Sequence, residues 1–183
     1  MKRQLGYTLI EVSLALATVA AMTAATLAGM RALDQRNEVR ELAAQVLQLQ
    51  EIVNNQAASG GAINIATMAD AGRIPQAWLR GTPGAYTVVN ASNGRFVVGT
   101  ATQSAAPSGR VLFISAFGVR PEVCVAVVGI VQGAFDEVYR TDGAATYIKR
   151  ANTVADIPYS TANAESACAV PNSQLNLAWM LQS

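Results

Sequence analysis

The sequence predicts an α+β chain, a long N-terminal helical spine packed against a C-terminal globular head with an antiparallel sheet. Three observations predict it. Residues 7–30 are apolar except for one charged side chain, Glu11, and no proline interrupts the chain between there and Pro75. From residue 31 the pattern becomes amphipathic, with Val39, Leu42, Val46, Leu49 and Val53 recurring at spacings of three and four, which draws one apolar stripe along a helix. Further on, short β-branched runs flank turn residues, and the chain ends in an alternating segment.

The spine is expected over 7–57 as one helix about 70 Å long. Its first part, 7–30, is long enough to cross the hydrocarbon core of a bilayer. Its second part, 31–57, needs a globular partner along one face. A coiled coil is the competing reading, but the stripe lasts about two heptads, too short to favour it. Asp34, Arg36, Glu38, Arg40 and Glu41 fall on the other faces. Gly29 is the one obvious weak point in the helix, because glycine costs roughly 1 kcal/mol against alanine.

In the head, residues 56–62 read as a loop that ends the spine. Ile63–Ala71 reads as a short helix stopped by Gly72 and Pro75. Residues 85–90 and 95–100 flank Asn93-Gly94, a hairpin signal. Residues 101–109 read as a polar loop and 109–115 as a strand. The run 121–132 is β-branched like a strand, but Pro121 at a first helical position and Gly133 as a stop point to a helix, with Cys124, Val128 and Val131 on one face. Residues 135–139 and 146–149 read as short strands. Leu175, Leu177, Trp179 and Leu181 alternate, which predicts a half-buried final strand.

Composition restricts the function. The 183 residues include no histidine, which removes the commonest general base and metal ligand. Net charge is +1, with 51% apolar and 14% charged residues, so no basic field points to nucleic acid. There is no Gly-x-Ser-x-Gly, phosphate loop or metal-ligand cluster, so no enzyme, cofactor or metal site is expected. Asp136, Glu137 and Asp142 read as a solvated turn rather than a calcium site. Asn90-Ala91-Ser92 matches a glycosylation acceptor, although turn chemistry explains it better. Cys124 and Cys168 are a pair, not a cluster. In an exported protein they read as one disulfide, with two buried free thiols as the alternative. The bridge would stabilise the fold by roughly 3–4 kcal/mol in the chain-entropy model.

The N-terminus carries the sharpest signal. Met1–Gly6 is short and basic, and the apolar run follows at once. A secretory signal peptide cut near Ala20–Ala25 and a plain anchor with Lys2 and Arg3 cytoplasmic both fit the hydropathy. Neither explains Glu11. A carboxylate inside a membrane helix costs about 2.5–3.5 kcal/mol on insertion scales and marks a functional position. No Lys, Arg or His lies between residues 4 and 30. Cutting after Gly6 would create a new amine at Tyr7, four residues from Glu11 and on the same helix face, or able to meet Glu11 of a neighbouring subunit.

Gly6-Tyr7-Thr8-Leu9-Ile10-Glu11, after a basic leader and before a long apolar run, resembles the prepilin processing site of type IV pilins and related pseudopilins. The resemblance implies cleavage between Gly6 and Tyr7 by a prepilin peptidase, N-methylation of Tyr7 and an assembly role for Glu11. The family most often has Phe where this chain has Tyr7. Within the family the chain most resembles type IVb pilins, such as those of toxin-coregulated pili and conjugative-plasmid thin pili. That likeness rests on "AGRIP" at 71–75, the run 168–179, a helix bearing Cys124 and a wide loop from there to Cys168. The six-residue leader departs from that group, whose leaders are usually long. The implied organisation is a leader at 1–6, a spine at 7–57 and a head at 58–183. The implied partners are other copies of the chain, the peptidase, the inner-membrane assembly machinery and an unknown outer-surface receptor. The head would be periplasmic in a Gram-negative cell before the subunit joins an extracellular pilus, with the segment between the cysteines on the filament exterior. Minor pilin, secretion pseudopilin and a tethered, non-polymerising binding module are the alternatives. The paired cysteines favour a pilin over a pseudopilin.

Overall fold

The computed structural model describes residues 9–101, 111–142, 144–151, 156–170 and 174–180. The chain divides into two compact units, Met1–Asn37 and Glu38–Ser183. Helix α1, Leu9–Ala58, contributes to both. In the first unit its side chains from Glu11 to Leu33 are all exposed. In the second, Leu42, Val46, Leu49 and Val53 are fully buried, as the three-and-four spacing predicts. The helix runs three residues into the segment expected to be a loop and stops where Gly60 takes a positive φ of 70°, a conformation that glycine adopts without a steric penalty.

The second unit is built on an antiparallel sheet of seven strands. In chain order these are β1 (Leu79–Arg80), β2 (Thr87–Val89), β3 (Arg95–Ala101), β4 (Val111–Ala116), β5 (Glu137–Thr141), β6 (Ala145–Arg150) and β7 (Gln174–Met180). They lie side by side in the order β1-β2-β3-β4-β7-β5-β6. Residue 109 and the loop expected at 101–109 fall almost wholly outside the described residues. The last strand therefore sits between β4 and β5, in the middle of the sheet. One face of the sheet presents Phe96, Val98, Leu112, Ile114, Leu175, Leu177 and Trp179, paired in register across neighbouring strands. These side chains join the stripe of α1 in one buried cluster. Trp179 adds an edge-on contact to Phe135 at 5.4 Å between ring centroids and donates through Nε1 to Asn54 Oδ1 of α1 at 2.8 Å.

The central placement of β7 corrects the half-buried expectation. Leu175 through Trp179 are all buried. Asn176 is 3% exposed, and its polar atoms are used: its Oδ1 accepts from Ser115 Oγ at 2.5 Å and its Nδ2 donates to Thr141 Oγ1 at 2.9 Å. A polar residue in a central strand is tolerable only when hydrogen-bonded in this way.

Helices α2 (Ile65–Asp70), α3 (Pro121–Val131) and α4 (Thr161–Cys168) complete the unit. The Asn64 side chain accepts from Thr67 N and caps α2, which shortens the expected helix at its start. Pro121 opens α3, and Val123, Cys124, Val127, Val128 and Val131 are buried, so the run is a helix over Pro121–Val131 and not a strand. Helix α4 lies in the stretch expected to be a wide loop. Ser160 caps it by accepting from Asn163 N, and it buries Ala164, Ala167 and Cys168.

The β2–β3 turn shows why Asn90 is not a free acceptor site. Its Oδ1 accepts from Ser92 N at 3.0 Å and Gly94 N at 2.9 Å, and its Nδ2 donates to Phe117 O at 2.8 Å. Asn93 takes a left-handed φ of 59°, a conformation that asparagine tolerates in turns. A Cβ on Gly94 would lie 1.8 Å from Phe117 O, so only glycine fits beside that loop.

Candidate functional site

Gly6 and Tyr7, the expected cleavage and methylation positions, lie outside the described residues. Glu11 stands in the first turn of α1 and is exposed. Around and beyond it the helix presents apolar side chains outward: Leu14, Leu16, Val19 and Met22 are 61–71% exposed. Such a surface is unfavourable in water at roughly 25 cal/mol per Å². Among the described residues α1 is the one helix long and apolar enough to cross a membrane. Its hydroxyls suit an apolar solvent as well. Thr18, Thr23 and Thr26 donate to the carbonyls of Ala15, Val19 and Met22, so each donor is satisfied within the helix and needs no water.

In the head, Cys124 of α3 and Cys168 of α4 form a disulfide with Cα atoms 5.9 Å apart and 44 positions apart in sequence. Both cysteines are fully buried. The bridge ties together the two helices that flank β5 and β6 in the chain.

The charged groups are placed differently from expectation. Glu137 is not part of a solvated turn. It is 5% exposed, and its Oε1 accepts from Arg150 Nε at 3.1 Å. Arg150 in turn stacks over the Tyr147 ring at 4.6 Å, and Tyr147 packs on Tyr139 at 5.3 Å. Burial, reinforced by Tyr147 and Glu137, pushes the Tyr139 phenol above its ordinary pKa. Asp136 accepts from Met180 N at 2.8 Å. Arg140 is 1% exposed and donates to Val170 O at 3.3 Å, and burial lowers its pKa. Lys149 Nζ donates to the carbonyls of Gln132 and Phe135 at 2.8 and 2.7 Å, a cation at the C-terminal end of α3. Glu38, off the apolar stripe as expected, pairs with Arg120 and accepts from Ser92 Oγ. Sequence reasoning missed Arg140 and Glu38 because an isolated charge gives no sign of burial. Among the described residues no group of three or more His, Cys, Asp or Glu is gathered closely enough to hold a metal ion.

Solved structures place this architecture. The chain superimposes on a type IV b pilin from Salmonella typhi with a TM-score of 0.56 and 18% identity, covering 75% of this chain and 97% of that one. It superimposes on TcpA, a type IV pilin from the El Tor biotype of Vibrio cholerae, with a TM-score of 0.55 and 13% identity, covering 78% and 98%. No protein-family model matches the sequence. No curated protein matches it either. At these identities the likeness is one of fold: the chain has the type IV pilin fold.

Proposed function

From a chain with that fold, we propose a structural subunit of a type IV pilus, of the type IVb kind, cleaved after Gly6, methylated at Tyr7 and polymerised into a surface filament for adhesion, aggregation or conjugation-type contact. Residues 1–6 are the leader. Residues 7–57 are the spine, held in the inner membrane through 7–30 before assembly and in the filament core afterwards. Residues 58–183 form the head, exported to the periplasm and then carried on the extracellular filament. The partners are other copies of the chain, a prepilin peptidase and the inner-membrane assembly machinery.

The observation that carries this reading is the position of Glu11. It is the one charged side chain between residues 7 and 30, and it lies on the apolar, outward-facing helix of a chain whose head has a pilin fold. A simple anchor gains nothing from a carboxylate at membrane depth. A subunit whose neighbour carries a new amine at Tyr7 gains a charge pair in an apolar core, where Coulomb attraction is strong. The exposed apolar half of α1 supports the same reading, since it fits first a bilayer and then the spines of other copies.

The test has two parts. Mass spectrometry of the mature protein is expected to find a methylated Tyr7 at its start, and a start near residues 22–27 would mean an ordinary signal peptide instead. Glu11→Ala is expected to stay cleaved and membrane-bound but to yield few filaments. Normal filaments from that variant would sink the pairing argument and favour the tethered, non-polymerising module.

A further inference from the structure

Three segments distant in sequence meet at one carboxylate in the head. Glu38 is the first residue of the second compact unit. Its Oε1 accepts from Ser92 Oγ at 2.6 Å, and its Oε2 is paired with Arg120 Nη2. Ser92 belongs to the β2–β3 turn, and Arg120 is the N-cap residue of α3. The turn and the segment before α3 are themselves locked together by the bond from Asn90 Nδ2 to Phe117 O at 2.8 Å. Seven residues along α1 the same turn makes a second attachment, from Ala91 N to Gln45 Oε1 at 2.9 Å. One platform therefore grips the first two turns of the head-bound helix.

The apolar hold is weakest at the very start of this stretch. Val39 is 8% exposed, whereas Leu42, Val46, Leu49 and Val53 are fully buried. The charged attachment at Glu38 thus sits where apolar burial is thinnest. Charge-assisted bonds of this kind are about twice as strong as neutral ones, and segments with little buried apolar contact are the ones that open locally. Arg120 also has a second carboxylate at hand, with Nη1 3.4 Å from Glu122 Oε1. Its guanidinium is half exposed, while Glu38 is 15% exposed. The hydrogen bond to Glu38 holds the Arg120 pKa above its ordinary value, so the cation is present at every physiological pH.

We propose that Glu38, Ser92 and Arg120 form a latch that sets where the head's hold on α1 begins, and that opening it releases residues 38–41 while the rest of the head stays folded. In the open state Arg120 keeps Glu122 as its partner, and the helix from Leu42 onward stays on the sheet. The latch acts within the head and does not rest on filament assembly.

Hydrogen–deuterium exchange of the full chain in detergent micelles tests it. In Arg120→Met, amides of residues 38–41 are expected to exchange about tenfold faster, with 42–57 and strands β4 and β7 unchanged. Arg120→Lys, which keeps a cation, should recover most of the protection. Raising the salt concentration should speed exchange of 38–41 in the wild type but not in Arg120→Met, because the Arg120 half of the latch is exposed enough to be screened. Glu122→Gln should leave the segment as it is. Unchanged protection of 38–41 in Arg120→Met would overturn the latch. So would a loss spread evenly over the head, which would mean a global contribution and not a local one.

Discussion

One helix carries two kinds of sequence. Between Glu11 and Leu33 of α1 every side chain is exposed, yet from Val12 to Met30 the segment carries no charge on any side. Between Glu38 and Ala57 the helix is amphipathic, and its stripe is buried against the sheet. A surface helix of a soluble protein needs only one apolar face. The second segment obeys that rule, and the first does not. Backbone structure is the same in both, so the difference lies in the solvent each was selected for. The head supplies the surroundings of the second. On the proposed function a bilayer, and then other spines, supply those of the first.

Placing the same charge in each half breaks this comparison most directly. Leu49→Asp puts a carboxylate in a fully buried position. Burying an unpaired charge costs enough to shift or abolish folding, and domains hold only about 5–15 kcal/mol in reserve. Denaturant titration of the head should find it largely unfolded. Leu16→Asp, at a position 65% exposed, should leave the head's unfolding curve in detergent unchanged. A matching loss of head stability in both variants would show that the two halves do not differ as described.

The next effect sharpens the contrast from the side of the head. Replacing both cysteines by serine removes a bridge closing 44 positions, worth about 4 kcal/mol in the chain-entropy model. Thermal unfolding should shift down for the head, while the helical signal from residues 11–37 in detergent persists. A smaller loss is expected from Asn90→Ala. It deletes one donor bond and two acceptor bonds in the β2–β3 turn, which should cost about 1–3 kcal/mol. Urea midpoints compared with the wild type measure it, and no change would mean that the turn is held by backbone alone.

The two regions also differ in how far their sequences could be read. The stripe of α1 was legible because large apolar side chains recur at helical spacing, and the pattern of Glu11 was legible because one charge stands out in an apolar run. The hairpin at Asn93-Gly94 followed from a turn that needs a positive φ. Helix α4 was missed because its buried face is Ala164, Ala167 and Cys168, residues too small to draw a stripe. Its one available signal was Ser160 as a cap. Strand β7 was misjudged because alternation implies one wet face only at the edge of a sheet or on an uncovered one. The order β4-β7-β5 puts it at the centre, and long-range pairing of that kind is not written in local sequence. Glu137 was misplaced in solvent, and the pairing of Glu38 went unseen, for the same reason: their partners, Arg150 and Arg120, are 13 and 82 positions away.

The smallest predicted effect is confined to alkaline pH. Burial, with Tyr147 and Glu137 nearby, raises the pKa of Tyr139 above its ordinary value of 10.0. In the unfolded chain the phenol ionises near that ordinary value. Between the two pKa values the unfolded chain has released the proton and the folded head still holds it, so unfolding gains from rising pH. Stability should therefore be flat with respect to this group below about pH 9 and fall above about pH 10. Tyr139→Phe keeps the ring on Tyr147 and removes the titrating hydroxyl. Its melting temperature should fall less steeply than that of the wild type across this window. No tyrosine lies between residues 8 and 85, so residues 11–37 should show no such slope. Equal slopes for the head of the variant and of the wild type would mean that Tyr139 ionises no differently in the folded and unfolded chains.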